Sequence, residues 1–320
     1  MLPVDVLYNR LPSPSLRRWI ESISLVERLS GRASTLSVSL CNADGRFLGE
    51  WRATKGDSIA LSISPASAEE FAIQKISHTR APAVVTWEAE GRPATSKALT
   101  GRGGGFPPPV SGALVEDKRS WNEPMKNRRL RDVAQRVCDE CGLSLRYVAK
   151  ANPLIPYVSR YNETGFHLLD RFCSVNALAV RATSGEVTIL AAQAREDKSP
   201  PVSVSLSLDK VTGLTQSDTV SPRSVRSARL DPRSASTVRL AYGDGDGPDV
   251  DLPYDADAAK SLYLAAVAEC RMAAVDIVPT AGITAGSIVD ISGVGLREVL
   301  EMRYNRTGDA EKMSLTVRAL

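Results

Sequence analysis

The amino-acid sequence predicts a mainly β protein with an α+β insert, in which two β-barrel-like domains flank a mixed α+β domain. Short runs of alternating apolar and polar residues, broken by turns, fill roughly the first hundred residues, and similar runs return after Val202. Between these regions, from Leu130 onwards, apolar residues recur with the period of a helix. Strands at this spacing favour antiparallel sheets closed into barrels or sandwiches.

The length of 320 residues and the mass of 34.4 kDa are sufficient for about two or three domains. We predict an N-terminal β-barrel-like domain over 1–117, an α+β domain over 118–199 and a second β-barrel-like domain over 200–320. The segment 101–112 is rich in glycine and proline, which predicts a flexible surface loop at the first boundary. No self-similar repeat is visible between the two β regions.

The N-terminal domain begins its clearest pattern at Thr35–Cys41, where every second residue is apolar. The Asp44-Gly45 turn that follows predicts a hairpin with a second strand over 47–51. The same period-two pattern predicts further strands over 56–63, 71–76 and 83–90.

The α+β domain contains the clearest helical pattern of the chain. An apolar stripe runs from Leu130 to Cys141, and Gly142 stands where a left-handed C-terminal cap is expected. A second helix is predicted to begin near 162–164, followed by two strands over 177–181 and 187–190.

The second β-barrel-like domain is predicted from alternating runs that one helix interrupts. The helix is placed near 256–273, with Asp255 or Asp257 as its N-cap and small residues on its apolar stripe. The predicted strands are 203–208, 237–242, 287–292, 298–304 and 313–319.

The charge balance and the histidine count argue against common enzyme chemistry. Forty basic and thirty-seven acidic residues leave a net charge of +3, which is too small to predict a nucleic-acid-binding protein from charge alone. The two histidines leave little material for a metal cage or a catalytic triad. We expect His78 in a turn and His167 in a hydrogen bond with Asp170 on a helix surface. The sequence therefore predicts no catalytic residue, no cofactor and no metal ligand.

Five cysteines, an odd number, fit a reducing compartment better than a disulfide framework. Cys138 and Cys141 have the C-x-x-C spacing of zinc and redox sites, but both fall on the apolar stripe of the first long helix. We therefore predict buried structural cysteines; an iron–sulfur cluster that also uses two other cysteines is the alternative.

No secretory signal or membrane-spanning run is visible, so synthesis and folding in the cytoplasm without a membrane anchor are expected.

Two stretches are rich in cations. The first, within 118–131, also contains acidic residues and fits a solvated face of mixed sign. The second has fewer acidic neighbours and supplies the candidate partner contacts Arg223, Arg226, Arg229 and Arg233.

Several segments, taken together and in order, resemble the late control gene D family, the tail-hub proteins of contractile-tailed phages and related pyocin-like particles. Characteristic stretches include Leu168-Leu169-Asp170-Arg171-Phe172 and Gly282-Ile283-Thr284-Ala285-Gly286. The matching segments are 118–121, 130–134, 142–143, 161–164, 168–172, 177–180, 185–190, 258–272 and 281–293. They cover roughly the last two hundred residues, whereas the first hundred agree only in β character. The loop 101–112 looks like an insertion, and 304–309 lacks a histidine often found there in the family.

The resemblance implies a structural protein of the virion, located in the tail baseplate and assembled in the host cytoplasm. It implies a homotrimer that adapts the sixfold tail tube to the threefold spike. Its partners would be the tail tube protein, the spike protein and baseplate wedge components, with DNA only in transit through the channel. Two other functions stay open: a tail-associated cell-wall hydrolase, suggested by spare carboxylates in the α+β domain, and a glycan-binding module.

Overall fold

The protein is mainly β with large antiparallel sheets, as the sequence predicts. A computed structural model of the chain describes residues 4–9, 11–29, 34–63, 69–91, 118–176, 178–183, 186–191, 202–219, 222–231, 236–243, 248–252, 263, 266–267 and 270–319. The predicted loop 101–112 lies outside these residues.

The N-terminal region consists mainly of β-strands. Alternating apolar residues place every second side chain of these strands in the core. Its strands are β1 (Val4–Tyr8), β2 (Leu11–Pro12), β3 (Ile20–Arg28), β4 (Thr35–Cys41), β5 (Ser58–Ile63), β6 (Glu69–Arg80) and β7 (Ala83–Gly91), with a short helix α1 (Pro14–Arg17).

The hairpin predicted after β4 is wrong. Residues Arg46–Leu48 form a 3-10 turn, and the partners of β4 are β3 and β7. Both edges of β4 are therefore occupied, so a strand over 47–51 could not pair with it. Instead, the side-chain oxygen of Asn42 accepts a hydrogen bond of 2.9 Å from the Phe47 N–H, and Phe47 enters the core with 1% exposure.

The α+β region confirms both predicted helices. All six residues of the predicted apolar stripe of α2 are buried, and Gly142 adopts a left-handed φ of 67°. The hydroxyl of Thr164 caps the second helix by accepting the N–H of His167. The elements are β8 (Lys118–Arg119), β9 (Met125–Arg129), α2 (Leu130–Cys141), β10 (Ser144–Tyr147), β11 (Leu154–Val158), β12 (Glu163–Thr164), α3 (Gly165–Ser174), β13 (Leu178–Thr183) and β14 (Glu186–Ala191). No helix in the described ranges has both the length and the apolar character required to cross a membrane.

The C-terminal region returns to strands. These are β15 (Val204–Leu206), β16 (Val211–Asp218), β17 (Val225–Asp231), β18 (Ser236–Tyr242), β19 (Val250–Leu252), β20 (Arg271–Ile277), β21 (Ile288–Ile291), β22 (Gly295–Thr307) and β23 (Ala310–Ala319), with a 3-10 turn at Leu208–Lys210.

The helix predicted near 256–273 extends too far. Within 256–269 the structure describes only residues 263, 266 and 267, and these are helical. Strand β20 begins at Arg271 and pairs with β16 on one side and β23 on the other. The alternating burial of Ala273, Val275 and Ile277 satisfies this sheet, so pairing on both edges outweighs a helical stripe of small residues.

The two β regions are joined in a single sheet of thirteen strands. Its order is β16-β20-β23-β22-β3-β4-β7-β6-β5-β1-β2, and β21 and β15 extend from one part of β22. The joint is the antiparallel pair β3–β22, which runs from Arg28 opposite Glu301 to Ser22 opposite Thr307. A single hydrophobic cluster contains buried residues from both regions, including Val38, Ile73, Val275 and Leu315. The domain limits at 117 and 199 remain predictions.

Candidate assembly interface

The predicted arginine stretch lies on a small sheet of three strands, separate from the large one. Strand β17 pairs antiparallel with β18 and parallel with β19. Arg223 is exposed just before β17, and Arg226 forms an ion pair of 3.0 Å with Asp249 while its side chain stays 47% exposed. Arg229 lies further along the same strand, and Arg233 lies outside the described residues. The role of these arginines in partner contacts stays a prediction.

The junction of the two β regions is organised by an irregularity in β22 at Leu300. Before this residue β22 pairs with β21, and from Glu301 onwards it pairs with β3. The carbonyl of Leu300 accepts the N–H of Leu29 at 2.8 Å, and Arg28 forms an ion pair of 3.0 Å with Glu301 across the two strands. A bulge bends a strand and changes its twist, which allows one strand to serve two neighbours.

A buried ion pair connects the α+β region to this junction. Arg181 on β13 lies 3.3 Å from the carboxylate of Glu27 on β3, and it donates to the carbonyl of Ala285 at 2.8 Å. The N–H of Ala285 donates to the same Glu27 oxygen at 3.2 Å. Burial raises the pKa of Glu27, and the nearby Arg181 partly offsets this rise. The three residues therefore tie three parts of the chain together.

A second buried pair lies near the C-terminal end of the chain. Glu298 on β22 and Arg318 on β23 are directly opposite in the ladder, and their side chains are 3% and 5% exposed. The guanidinium donates to Glu298 Oε2 at 2.7 Å through Nε. Burial raises the pKa of Glu298 from its ordinary 4.5 to about 7, although the charge of Arg318 acts in the opposite direction.

The α+β region is organised around the carboxylate of Glu140. Its oxygens accept hydrogen bonds from Arg160 at 2.8 Å, from the indole of Trp121 at 2.8 Å and from Arg136 at 3.3 Å. The side chain of Arg160 is fully buried and also donates to the carbonyl of Glu163 at 3.0 Å. Arg136 lies over the Trp121 ring, 4.0 Å from its centre. This network joins α2 to the segment between β8 and β9 and to the segment between β11 and β12.

The predicted burial of Cys138 and Cys141 is confirmed, with exposures of 0% and 7% in the core of the α+β region. Burial raises the pKa of Cys138 to about 12, and it raises the pKa of Cys173 further. Both thiols are therefore protonated at neutral pH. Within the described residues, no three metal-ligating side chains come together.

The two histidines are exposed. The turn predicted around His78 is wrong, because His78 lies within β6 opposite Val85. Pairing with β7 extends this strand to Arg80, past the end that the alternating pattern predicts. His167 lies on the surface of α3, where its charge opposes the rise that burial causes in the pKa of Asp170.

An open edge and a polar cleft lie together at one end of the large sheet. Strand β16 pairs only with β20 among the described strands, and its Leu214 is 45% exposed. The cleft has a volume of about 450 Å³ and two arginines in its wall. It is lined by Gln216, Thr219, Cys270, Arg271, Met272, Ala273 and Arg297.

Sequence reasoning missed the buried ion pairs that hold the chain together. Glu27 continues the alternation of Ile23 and Leu25, so the pattern itself places a carboxylate on the buried face. That misplaced charge is a signal in the sequence. Its partner Arg181 lies more than a hundred and fifty positions away. The sequence does not identify this partner, because only the tertiary fold brings the two residues together.

No protein-family model and no curated protein matches this sequence. Among solved structures, a tail protein from Neisseria meningitidis MC58 is similar over 99% of this chain and 96% of its own, with a TM-score of 0.70 at 12% identity. The 43 kDa tail protein of prophage MuSo2 from Shewanella oneidensis is similar over 99% and 96%, with a TM-score of 0.66 at 13% identity.

A third similar structure is the E. coli c3393 protein, a component of the type VI secretion system. That protein is described as structurally similar to the T4 bacteriophage tail proteins gp27 and gp5. The likeness covers 99% of this chain and 74% of that one, with a TM-score of 0.58 at 11% identity. The chain therefore has a fold that phage tail proteins share, across nearly its whole length.

Proposed function

We propose that this protein is a non-enzymatic structural hub of a contractile phage tail baseplate, or of a particle derived from one, in the manner of the late control gene D family. In this proposal it forms a trimer that adapts the sixfold tail tube to the threefold spike. The observation that carries the proposal is the fold, which is similar to that of phage tail proteins over 99% of the chain.

The joined sheet supports the symmetry part of the proposal. Each chain contributes two β regions, so a trimer would present six β surfaces at one end and three whole chains at the other. The β3–β22 pair and the shared core hold the two regions in one fixed relation. The two β regions of each chain must keep a fixed relative position if the six regions of a trimer are to match a sixfold ring.

The open edge at β16 is the surface that we assign to contacts between subunits. An unpaired edge strand is a template for pairing with another chain unless something covers it. Three large apolar side chains are exposed around it: Leu208 at 66%, Leu214 at 45% and Val278 at 47%. The Val278 N–H donates to the carbonyl of Lys210 at 2.8 Å, which places Val278 beside the turn that carries Leu208. Burial of this edge in a trimer would cover both the unpaired backbone groups of β16 and the exposed apolar side chains.

The buried carboxylates Glu27 and Glu298 lie outside the α+β region and do not provide a hydrolase site. A glycosidase requires two carboxyl groups that face one cleft. Glu27 and Glu298 have raised pKa values, as a general acid would, but their side chains are only 9% and 3% exposed and each is paired with an arginine. Buried carboxylates paired with arginine in this way are typical of structural ion pairs. A catalytic carboxyl group must instead be accessible to substrate.

The proposed partners are the tail tube protein, the spike protein and baseplate wedge components, with DNA passing through the channel. The proposed location is the tail baseplate of the virion, after assembly in the host cytoplasm. The net charge of +3 suits a channel through which DNA should pass without being held.

Native mass spectrometry tests the proposal. We expect a trimer of 34.4 kDa chains, either alone or after addition of the tube or spike protein. Leu214→Lys should reduce trimer formation, whereas Leu48→Lys, at a similar exposure of 47%, should not. A chain that stays monomeric at high concentration with both partners present contradicts the proposal. Clearing of a purified peptidoglycan suspension would favour the hydrolase instead.

A further inference from the structure

A long two-stranded ribbon forms one side of the α+β region. It extends from the β8–β12 pair through β9–β11, and the Trp121 N–H donates to the carbonyl of Arg160 at 2.8 Å between these pairs. The ribbon ends where the Leu130 N–H donates to the carbonyl of Pro153 at 2.9 Å. Ile155 and Val158 face the core and are 6% and 0% exposed. The ribbon therefore has an inner side that is covered and an outer side that is not.

The ribbon and the segment that leads into it carry a concentration of exposed apolar residues. Of the eleven large apolar residues that are exposed in the described chain, four lie between positions 148 and 161. These are Val148 at 56%, Leu154 at 49%, Tyr157 at 56% and Tyr161 at 84%. Single exposed apolar residues need no explanation, but a cluster of them marks an interaction site.

The neighbouring strand of the ribbon supplies positive charge to the same surface. Lys126 lies opposite Tyr157 in the ladder, and Arg129 lies opposite Leu154. Side chains directly opposite in an antiparallel pair are neighbours. Arg128, opposite the inward-facing Ile155, and Arg131, in the first turn of α2, are also exposed, and the acidic residues within 122–132 are Glu123 and Asp132.

These four cations differ from three paired arginines of the same region. Among the described residues, Arg136, Arg160 and Arg171 each form an ion pair, whereas no carboxylate in that part of the chain pairs with the four. Arg129 donates to the carbonyl of Asn152 at 3.0 Å, which orients the side chain without neutralising it. The surface therefore keeps a positive charge that a partner could match.

The backbone of the ribbon favours recognition by side chains over addition of a further strand. Asn127 has a left-handed φ of 50°, and it lies across from Pro156, between the paired positions on either side. Proline has no N–H to donate, and a local irregularity distorts an edge, so both features hinder strand addition. The same irregularity breaks the alternation of β11, so that Pro156 and Tyr157 are both exposed.

We propose that this outer side, which we call the ribbon surface (Lys126, Arg129, Leu154, Tyr157 and Tyr161), binds an acidic protein partner. Tyrosine and arginine are the residue types that contribute most to protein–protein binding energy. The cations favour a partner rich in Asp and Glu over an uncharged glycan. The aliphatic Leu154 favours a protein over a nucleic acid, whose bases require only stacking and charge.

Fluorescence anisotropy with the full chain tests this inference. The probe is a labelled peptide of mixed Glu and Leu residues, and the same peptide with Gln in place of Glu is its control. We expect saturable binding of the acidic peptide that weakens as salt increases, because salt screens exposed charges. The double variant Lys126→Gln/Tyr157→Ser should weaken binding by about tenfold or more.

The variant Leu48→Ser/Lys55→Gln is the matched control, since it removes one exposed apolar residue and one exposed cation elsewhere. Circular dichroism establishes that both variants are folded. Absence of binding to the acidic peptide overturns the inference, as does equal loss of binding in the two variants. Preferential binding of oligothymidylate or of a chitin oligosaccharide also overturns it. Because the test uses no tube or spike protein, failure here is separate from failure of the proposed hub function.

Discussion

Removal of Arg318 should destabilise the protein in a strongly pH-dependent way. The raised pKa of Glu298, about 7 against an ordinary 4.5, means that ionisation of this carboxyl costs about 3 kcal/mol more in the folded protein than in the unfolded chain. The contribution of this group to stability is therefore greatest below pH 4.5 and is lost as the pH rises towards 7. Arg318 limits this loss, since its charge favours the ionised carboxylate.

Arg318→Met takes away the ion-pair partner of Glu298 and leaves a buried carboxylate that is 3% exposed. At pH 8 we expect the free energy of unfolding to fall by about 3–5 kcal/mol, the usual cost of breaking a buried pair. At pH 5 the folded carboxyl is protonated, so we expect a loss of about 1 kcal/mol. The double variant Glu298→Leu/Arg318→Met should recover most of the stability at pH 8, because no buried charge remains.

Urea unfolding followed by tryptophan fluorescence measures these differences, because Trp19 and Trp87 lie around Phe47 in the large sheet. Arg303→Met on the same strand is the control. Its side chain is 57% exposed, so we expect a change below about 1 kcal/mol at both pH values. An equal loss at pH 5 and pH 8 for Arg318→Met would refute the reasoning, and so would a double variant as unstable as the single one.

Three further predictions concern the α+β region. Arg160→Met should lower the free energy of unfolding by about 3–5 kcal/mol and increase hydrogen exchange in α2, because Glu140 loses its buried partner; Arg171→Met, at 45% exposure, should change it by less than about 1 kcal/mol. Arg181→Met should accelerate chymotrypsin cleavage, because the link from β13 to Glu27 and Ala285 is lost; equal cleavage rates in wild type and variant would contradict this. Cys138, with a pKa of about 12, should resist iodoacetamide at pH 8 while the half-buried Cys41 reacts first, and peptide mass spectrometry would reveal the opposite order.

The helices of the α+β region were predictable because their information is local. The apolar stripe of α2 and the left-handed Gly142 lie within one stretch of sequence, and all of the predicted inward residues are buried. The amphipathic pattern alone specifies which face must be covered. No distant residue has to be known for this conclusion.

The errors fall where distant strands compete for the same segment. The hairpin after β4 failed because β3 and β7 already occupy both edges of that strand. The predicted C-terminal helix ran into β20 because Ala273 locally favours a helix, and pairing with β16 and β23 overrides that preference. The local sequence pattern does not show whether the edge of a strand is already paired with another strand.

The sequence by itself determined the alternation of the strands, the two amphipathic helices, the burial of the paired cysteines and the mainly β class. Only the tertiary structure decided that β3 and β22 join the two ends of the chain, that Arg181 reaches Glu27, and that tyrosines and cations share one surface of the ribbon. The physical reason is that burial periodicity is a property of neighbouring residues. Pairing, by contrast, selects among many strands with the same pattern, and the shared core makes that selection.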